Sequence, residues 1–372
     1  MRVTNQLIIN TVLTNLDSSR ERLRDYQTKA ATGMQIQRPS DDPIGAMRVL
    51  KLSLLVRDQG QYGDNIENGR SWLTMTEKVL EEASSVIGEV KTTAVNGAND
   101  SLGPSERKAL AVQVDTMLEH LVALGNSRLE GKYIFAGTHT LTMPYVAGNA
   151  VQDEAFTARI GEAVLLAHPD ISTGTATVTT QDGATTFLEG VDYTLDYALG
   201  TITALADGGM SESTAYVVDY ETRTTSSVSL GVSSTTGNID REIGEGTTMT
   251  VNTGGEEVFN DTISAFEVLV RLKDNLLRND GGGVRGGMDD LDAVLDQIIS
   301  VSGAVGARVH RLQLSDQRIQ SEILHTQELL SSVQDIDLAE VLARLKAEEL
   351  TYQTALSVGG RIVLPTLLDF VK

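Results

Sequence analysis

Apolar and polar positions along this chain follow two different periods. Near the C-terminus, in DIDLAEVLARLKAEELTYQTALSVGGRIVLPTLLDFVK, steps of four and three residues pick out Leu338, Leu342, Leu345, Glu349, Tyr352, Leu356, Gly359 and Val363. Such spacing puts the side chains on one narrow stripe of a helix. The N-terminal segment repeats it with Asn5, Ile9, Val12, Leu16, Ser19, Leu23, Tyr26, Ala30 and Gly33. An amphipathic surface helix is the plain reading of either stripe. The sharper reading is a coiled-coil strand. One narrow stripe buries little surface, so each helix alone is marginal, and the simplest partner for either is the other. The predicted assembly seam is therefore Ile9, Val12, Leu16, Leu23 and Tyr26 against Leu338, Leu342, Leu345, Tyr352 and Leu356.

The helical pattern stops at Gly33, and MQIQRPSDDPIGAMRVL follows. Pro39 biases Arg38 away from helical backbone, Ser40 or Asp41 can cap a new helix, and Pro43 fits its first turn. Residues Arg38, Pro39, Ser40, Asp41, Asp42 and Pro43 are thus expected to form a rigid joint between a terminal rod and a second helical region. Leucines and valines recur at helical spacing through 44–97, NGANDSLGPSER reads as a loop, and Ser105 is expected to cap the next helix. In GKYIFAGTHTLTMPY a short β pair is expected, with Gly137 near its turn.

From about 146 to 258 the period changes to two. TATVTT, DYTL, GTITAL and AYVVDYET alternate, with QDG, LEG and ADGG as turn signals between them, which predicts an all-β insert. Helix returns near Asp261, pauses at NDGGGVRGG, read as a flexible loop, and resumes from Met288 or Asp289 almost to the end. The fold class is α+β: long terminal helices forming a coiled-coil-like rod, a helical bundle and a central inserted all-β domain. Three nested domains follow: a rod of 1–38 and 331–372, a bundle with a short hairpin of 39–147 and 259–330, and a β-rich outer domain of 148–258.

Composition narrows the function. Aromatic residues make up 4% of the 372 positions, so cores must be built mostly from aliphatic side chains. The net charge is −21, and residues 138–260 carry 17 acids against 3 bases. No basic stripe exists for nucleic acid or an anionic membrane surface, and no apolar run is long enough to span a bilayer. There is no cysteine, hence no disulfide, thiolate metal site or cysteine nucleophile. The first residues lack the basic and long apolar regions of a Sec-type signal peptide. The five histidines, His120, His139, His168, His310 and His325, include no pair at helical metal-ligand spacing. GGGVRGG lacks the Lys-Ser/Thr of a phosphate loop, and acid pairs such as Asp41-Asp42 and Asp289-Asp290 suit helix starts. These features predict no catalytic site, no cofactor and no metal.

Three stretches carry a family resemblance: TKAATGMQIQRPSDDPIGA, LEGKYIFAGTHTLTMPY, and GAVGARVHRLQ with DIDLAEVLARLKAEELTYQTALSV. Together they resemble the bacterial flagellin superfamily over roughly 1–147 and 239–372. The Pro-Ser-Asp-Asp-Pro of 39–43, YIFAG and REIGEGTTMTVNTGGEEVF look more like the branch that joins hook to filament than like filament flagellin. The resemblance implies a non-enzymatic structural subunit of the flagellum, exported unsplit by the flagellar type III apparatus and located outside the cell at the hook–filament junction. It implies terminal regions disordered or loosely held until assembly. Its implied partners are copies of itself, the neighbouring hook-associated protein and flagellin, and a flagellar export chaperone, with no nucleic acid and no membrane insertion. Filament flagellin is the first alternative, a surface adhesin with a coiled-coil stalk the second, and a cytoplasmic enzyme the third.

Overall fold

The computed structural model describes the backbone of residues 2–368 and the side chains of 7 and 9–360. Helices α1 (Arg2–Thr32), α2 (Pro43–Gly97) and α3 (Pro104–Gly125) come first, followed by the small hairpin of β1 (Arg128–Leu129) and β2 (Lys132–Tyr133). The β insert contains β3 (Tyr145–Gly148), β4 (Ala150–Thr157), β5 (Ala163–Leu165), β6 (Thr177–Thr180), β7 (Thr186–Phe187) and β8 (Tyr193–Asp196). It continues with β9 (Thr201–Ala204), β10 (Ala215–Glu221), β11 (Ser227–Leu230), β12 (Asp240–Gly244) and β13 (Thr247–Thr250). Helices α4 (Gly255–Phe259), α5 (Ala265–Leu277), α6 (Gly281–Gly286), α7 (Met288–Gln334) and α8 (Leu338–Leu368) complete the order. The expected α+β class, with a β insert between helical regions, is what the chain adopts.

Two compact units divide the chain, one of residues before 64 with those after 316, the other of 64–316. Helices α2 and α7 contribute to both.

In 64–316, α2 and α7 run antiparallel, with Lys91 paired to Asp292 and Glu77 beside Gly306. Leu73, Leu80 and Ile87 of α2, Val114 and Leu118 of α3, Leu269 and Leu276 of α5 and Leu291 and Ile298 of α7 are fully buried, giving the aliphatic core the composition demanded. Four aromatic rings gather at one place in this core. Phe259 packs edge-on to Phe135 and Tyr145 at centroid distances of 5.4 and 5.6 Å, and Phe266 lies 4.8 Å from Tyr145. YIFAG and GGEEVF, two of the stretches that carried the family resemblance, therefore meet in this cluster. Gly137 follows YIFA with φ +57, and a Cβ there would stand 1.9 Å from Thr236 O, so only glycine lets the chain pass.

The β insert is antiparallel throughout its main sheets: β4-β10-β6-β7 and β5-β9-β8, with ribbons β3–β11 and β12–β13. Along β10, Tyr216, Val218 and Tyr220 turn inward while Val217, Asp219 and Glu221 are less buried, the period of two seen in the sequence. They meet Phe156, Leu166, Ile171, Val178, Tyr193 and Ile202 in one apolar cluster. A bulge interrupts β4 opposite Asp219, where Asp153 takes φ +56 and its N–H donates to the Asp219 carboxylate at 2.7 Å.

Local details differ from the sequence reading. The β pair turns at Glu130–Gly131, both at the positive φ that a tight two-residue hairpin loop favours, while Gly137 is held against Thr236. Gly103, not Ser105, occupies the N-cap of α3, since Pro104 takes the first helical position. The expected loop at 281–286 is a helical turn capped by Asp280, whose carboxylate accepts from Gly283 N–H at 2.9 Å. Helix does not continue unbroken to the C-terminus. It stops at Gln334 and restarts at Leu338, where Asp337 accepts from the N–H groups of Ala339 and Glu340 at 2.9 and 3.2 Å.

Candidate assembly surfaces

The unit built from the two chain ends centres on α1 and α8. They run antiparallel, and a short β-type clamp ties their inner ends. Met34 pairs with Asp335, Gln35 N–H donates to Gln334 O at 2.7 Å, and Ile336 N–H donates to Gly33 O at 3.1 Å.

On α1 a less exposed stripe runs through Ile9, Val12, Leu16, Ser19, Leu23, Tyr26 and Ala30, with Ser18 and Lys29 half-buried beside it. All five α1 residues of the expected seam lie on that stripe. On α8 the less exposed positions are Val341, Leu345, Glu348, Glu349, Tyr352, Ala355 and Gly359. Leu345 and Tyr352 are among them. Leu338, Leu342 and Leu356 are not: they are 52%, 46% and 48% exposed. Leu338 opens the helix, and Leu342 and Leu356 each stand one residue beyond a covered position. One residue is about 100° around a helix, which takes a side chain off a narrow contact. Small Ala355 and Gly359 take the inner positions because they admit a close approach, and the larger leucines are left on the flank. The side chains of Asn5 and Val363 lie outside the described residues.

At the proline joint, Asp41 N–H bonds to Arg38 O at 3.0 Å and closes a turn. The Asp41 carboxylate accepts from the N–H groups of Arg38 and Gln37 at 2.9 and 3.2 Å, which holds its carboxyl below the ordinary range. The cap falls on Asp42, one residue later than expected: its Oδ1 accepts from Ile44 N–H at 3.1 Å, with Pro43 in the first helical position. Arg38, Pro39, Ser40, Asp41, Asp42 and Pro43 are all exposed, and the joint lies within the terminal unit. Beside it is a cleft of about 610 Å³ lined mainly by Met34, Ile36, Pro39, Pro43, Met47 and Leu50. Ile44, next to it in sequence, is 77% exposed.

Apolar surface in this unit is uncovered to an unusual degree. Among the described residues, Ile319 is the one fully buried apolar side chain the unit contributes. Leu13, Ile44, Met47, Leu50, Leu338, Leu342, Leu350 and Leu356 all face solvent. Such concentrations mark interaction sites.

The sequence reading missed a polar cluster in 64–316. Lys273 on α5, fully buried, donates from Nζ to Thr225 O and stands 3.8 Å from Asp115 Oδ1 and 3.6 Å from Asp274 Oδ1. Asp274 Oδ2 meets His168 Nδ1 at 2.6 Å, His168 N–H donates to Tyr220 OH at 3.1 Å, and Tyr220 OH donates to Glu154 at 2.6 Å. Arg278 donates to Leu166 O and Ala167 O at 2.6 and 2.7 Å. Burial pushes the Asp115 carboxyl up, against the pull of Lys273. Burial and then Glu154 push the Tyr220 hydroxyl up. Every member bonds to another protein group, which makes the cluster a clasp between the β insert and α3 and α5. Among the described residues no group of three His, Asp or Glu side chains is placed to hold a metal. His120 contacts Glu82 at the surface at 3.2 Å, and His325 is exposed. No described helix is long and apolar enough to cross a membrane.

Helices from both chain ends, paired and carrying bare leucines, are the feature that the comparisons with known proteins bear on. The profile of the bacterial flagellin N-terminal helical region matches residues 3–140, and a family of proteins of unknown function matches 135–237. The chain is 27% identical over 146 residues to flagellar hook-associated protein 3 of Escherichia coli and to that of Salmonella typhimurium, covering 39% of this chain and 46% of each relative. It is 26% identical over 136 residues to the flagellar filament 30.7 kDa core protein of Treponema maltophilum, covering 37% of this chain and 46% of that protein. The chain spans about half the length of the curated relatives it matches. A flagellar hook-associated protein from Vibrio parahaemolyticus has the same fold, with a TM-score of 0.51 at 16% identity over 79% of this chain and 100% of that one. Residues 3–140 thus match the flagellin N-terminal helical region, and the resemblance to the flagellin superfamily read from the sequence is borne out.

Proposed function

We propose that the chain is a structural subunit of the bacterial flagellum that joins the hook to the filament. The observation that carries this reading is the terminal unit: two helices from opposite chain ends, paired, with leucines uncovered and almost no core of their own. A surface of that kind is completed by other copies. Heterologous contacts repeated on a helical lattice would bury Leu338, Leu342 and Leu356 against neighbours. The relatives named for the hook-associated layer support the junction, and the Arg38–Pro43 joint is its proposed local mark.

On this reading the chain works in three layers. The rods of 1–38 and 331–372 line the tube, 39–147 with 259–330 form the next layer, and the acidic 148–258 projects outward. The subunit leaves the cell unsplit through the flagellar type III apparatus, with its ends loosely held until assembly. It then contacts its own copies, the adjoining hook-associated protein and flagellin, and before export a chaperone. It performs no catalysis and needs no cofactor.

A filament subunit is the second reading, favoured by the match to a filament core protein at nearly the same identity. Seeded polymerisation separates the two. Purified chain is added to hooks or short filament seeds and followed by electron microscopy. Capping that stops growth is the expected result; long filaments grown from this chain alone would establish a flagellin.

A further inference from the structure

We propose that the axial register of α1 against α8 is set by two local devices, the Ser19–Arg22–Glu348 cluster and a notch at Gly359. The apolar seam by itself is permissive. Its residues recur every heptad on both helices, so a slide of one heptad again sets apolar groups against apolar groups. In one such slide Val12 leaves Gly359 and meets Tyr352.

The polar cluster is not permissive. Ser19 occupies a covered position of α1 and is 2% exposed. Its hydroxyl donates to Glu348 Oε1 at 2.6 Å, and Arg22 reaches the same oxygen from Nε at 3.2 Å and Nη2 at 2.9 Å. The Ser19 hydroxyl and then Arg22 hold the Glu348 carboxyl below the usual range. The Glu348 side chain is only 15% exposed. Sliding would carry it from Ser19 toward Val12, losing both partners and leaving a largely buried charge uncompensated. A misplaced polar group thus penalises the wrong register, the best-attested use of such groups in helix pairs.

The notch acts through volume. A Cβ at 359 would lie 3.1 Å from Val12 Cγ1 and 3.7 Å from Leu16 Cδ1, so α8 accepts Val12 where it has no side chain. Tyr352 at that place would force the helices apart. The two devices lie two turns apart on α1 and act independently. Register also decides at what height along the pair the exposed leucines stand, a consequence that rests on the assembly reading above.

The chain has no cysteine, so introduced pairs report without interference. In the full-length chain at high dilution, with trimethylamine N-oxide added so that the loosely held ends pair before any assembly, Val12→Cys/Gly359→Cys reads the observed register and Val12→Cys/Tyr352→Cys the slipped one. Intramolecular disulfide is quantified by peptide mapping, with circular dichroism as a control for helix content. The first pair is expected to form about tenfold more disulfide than the second, and Glu348→Leu to bring the two within about threefold. Glu348→Gln, which still accepts from Ser19, should keep most of the difference. Equal yields in the parent chain, no disulfide from either pair, or an unchanged ratio in Glu348→Leu would overturn the proposal. These cross-links need no filament, so their failure is distinct from a failure to cap filament seeds.

Discussion

The terminal unit and the unit of 64–316 are both largely helical, yet they are held together by different means. In 64–316, α2, α3, α5 and α7 surround a continuous aliphatic core, closed by four aromatic rings and fastened to the β insert by a buried polar clasp. In the terminal unit, α1 and α8 share a single stripe, and Ile319 is the one fully buried apolar side chain among the described residues. The first arrangement satisfies itself. The second leaves its larger apolar groups facing water. On the proposed reading, stability and assembly are therefore written in different parts of one chain, and substitutions should separate them.

The largest loss of stability is expected from Lys273→Met. It leaves Asp115 and Asp274 buried without their cation, and urea unfolding should show a cost of about 3–5 kcal/mol. Leu118→Ala, at a fully buried position of α3, should cost about 2–5 kcal/mol in the same measurement. A smaller effect tests the terminal unit. The Glu348 carboxyl is held below 4.5 by Ser19 and Arg22, so its contribution is present above that value and is lost as pH falls through the lowered pKa. Energy transfer between labels at 12 and 359 should therefore weaken in acid below about pH 4.5, and Glu348→Gln should remove that step. The smallest change in stability is expected from Leu342→Ser, within about 0.5 kcal/mol, because the residue already faces solvent. The same variant should incorporate poorly at filament seeds. A large loss of stability there would erase the distinction between the two units.

Much of the fold is legible in the sequence because its signals are local. TITA and AYVVDYE alternate over single strands, and the β insert needs nothing more to be recognised. The stripe of α1 is legible for the same reason. The phase of α8 is not. Ranking by apolar size favours Leu342 and Leu356, whereas α8 turns Val341 and Ala355 inward, and that choice depends on both helices. The cap at Asp42 carried a usable signal. Pro43 belongs at the first helical position, which makes the residue before it the cap. The break at 335–337 also had one, in Asp337 ahead of Leu338, but the apolar steps run through it without interruption. The Lys273 cluster had none: Asp115, His168, Thr225 and Asp274 come together only through the tertiary fold, at separations no motif spacing describes.

The clamp between Met34 and Asp335 has a kinetic meaning. Gln334 and Met34, which touch across it, stand 300 residues apart in sequence. Contacts of such separation carry the full entropy of closing the intervening chain, so they form late. The order of folding should thus run from the middle outward, with 64–316 settling around local helices before the two ends find each other. A ribosome-bound chain that lacks its last segment has no partner for Met34 at all. Until Gln334, Asp335 and Ile336 have been made, the inner end of α1 must wait for its partner.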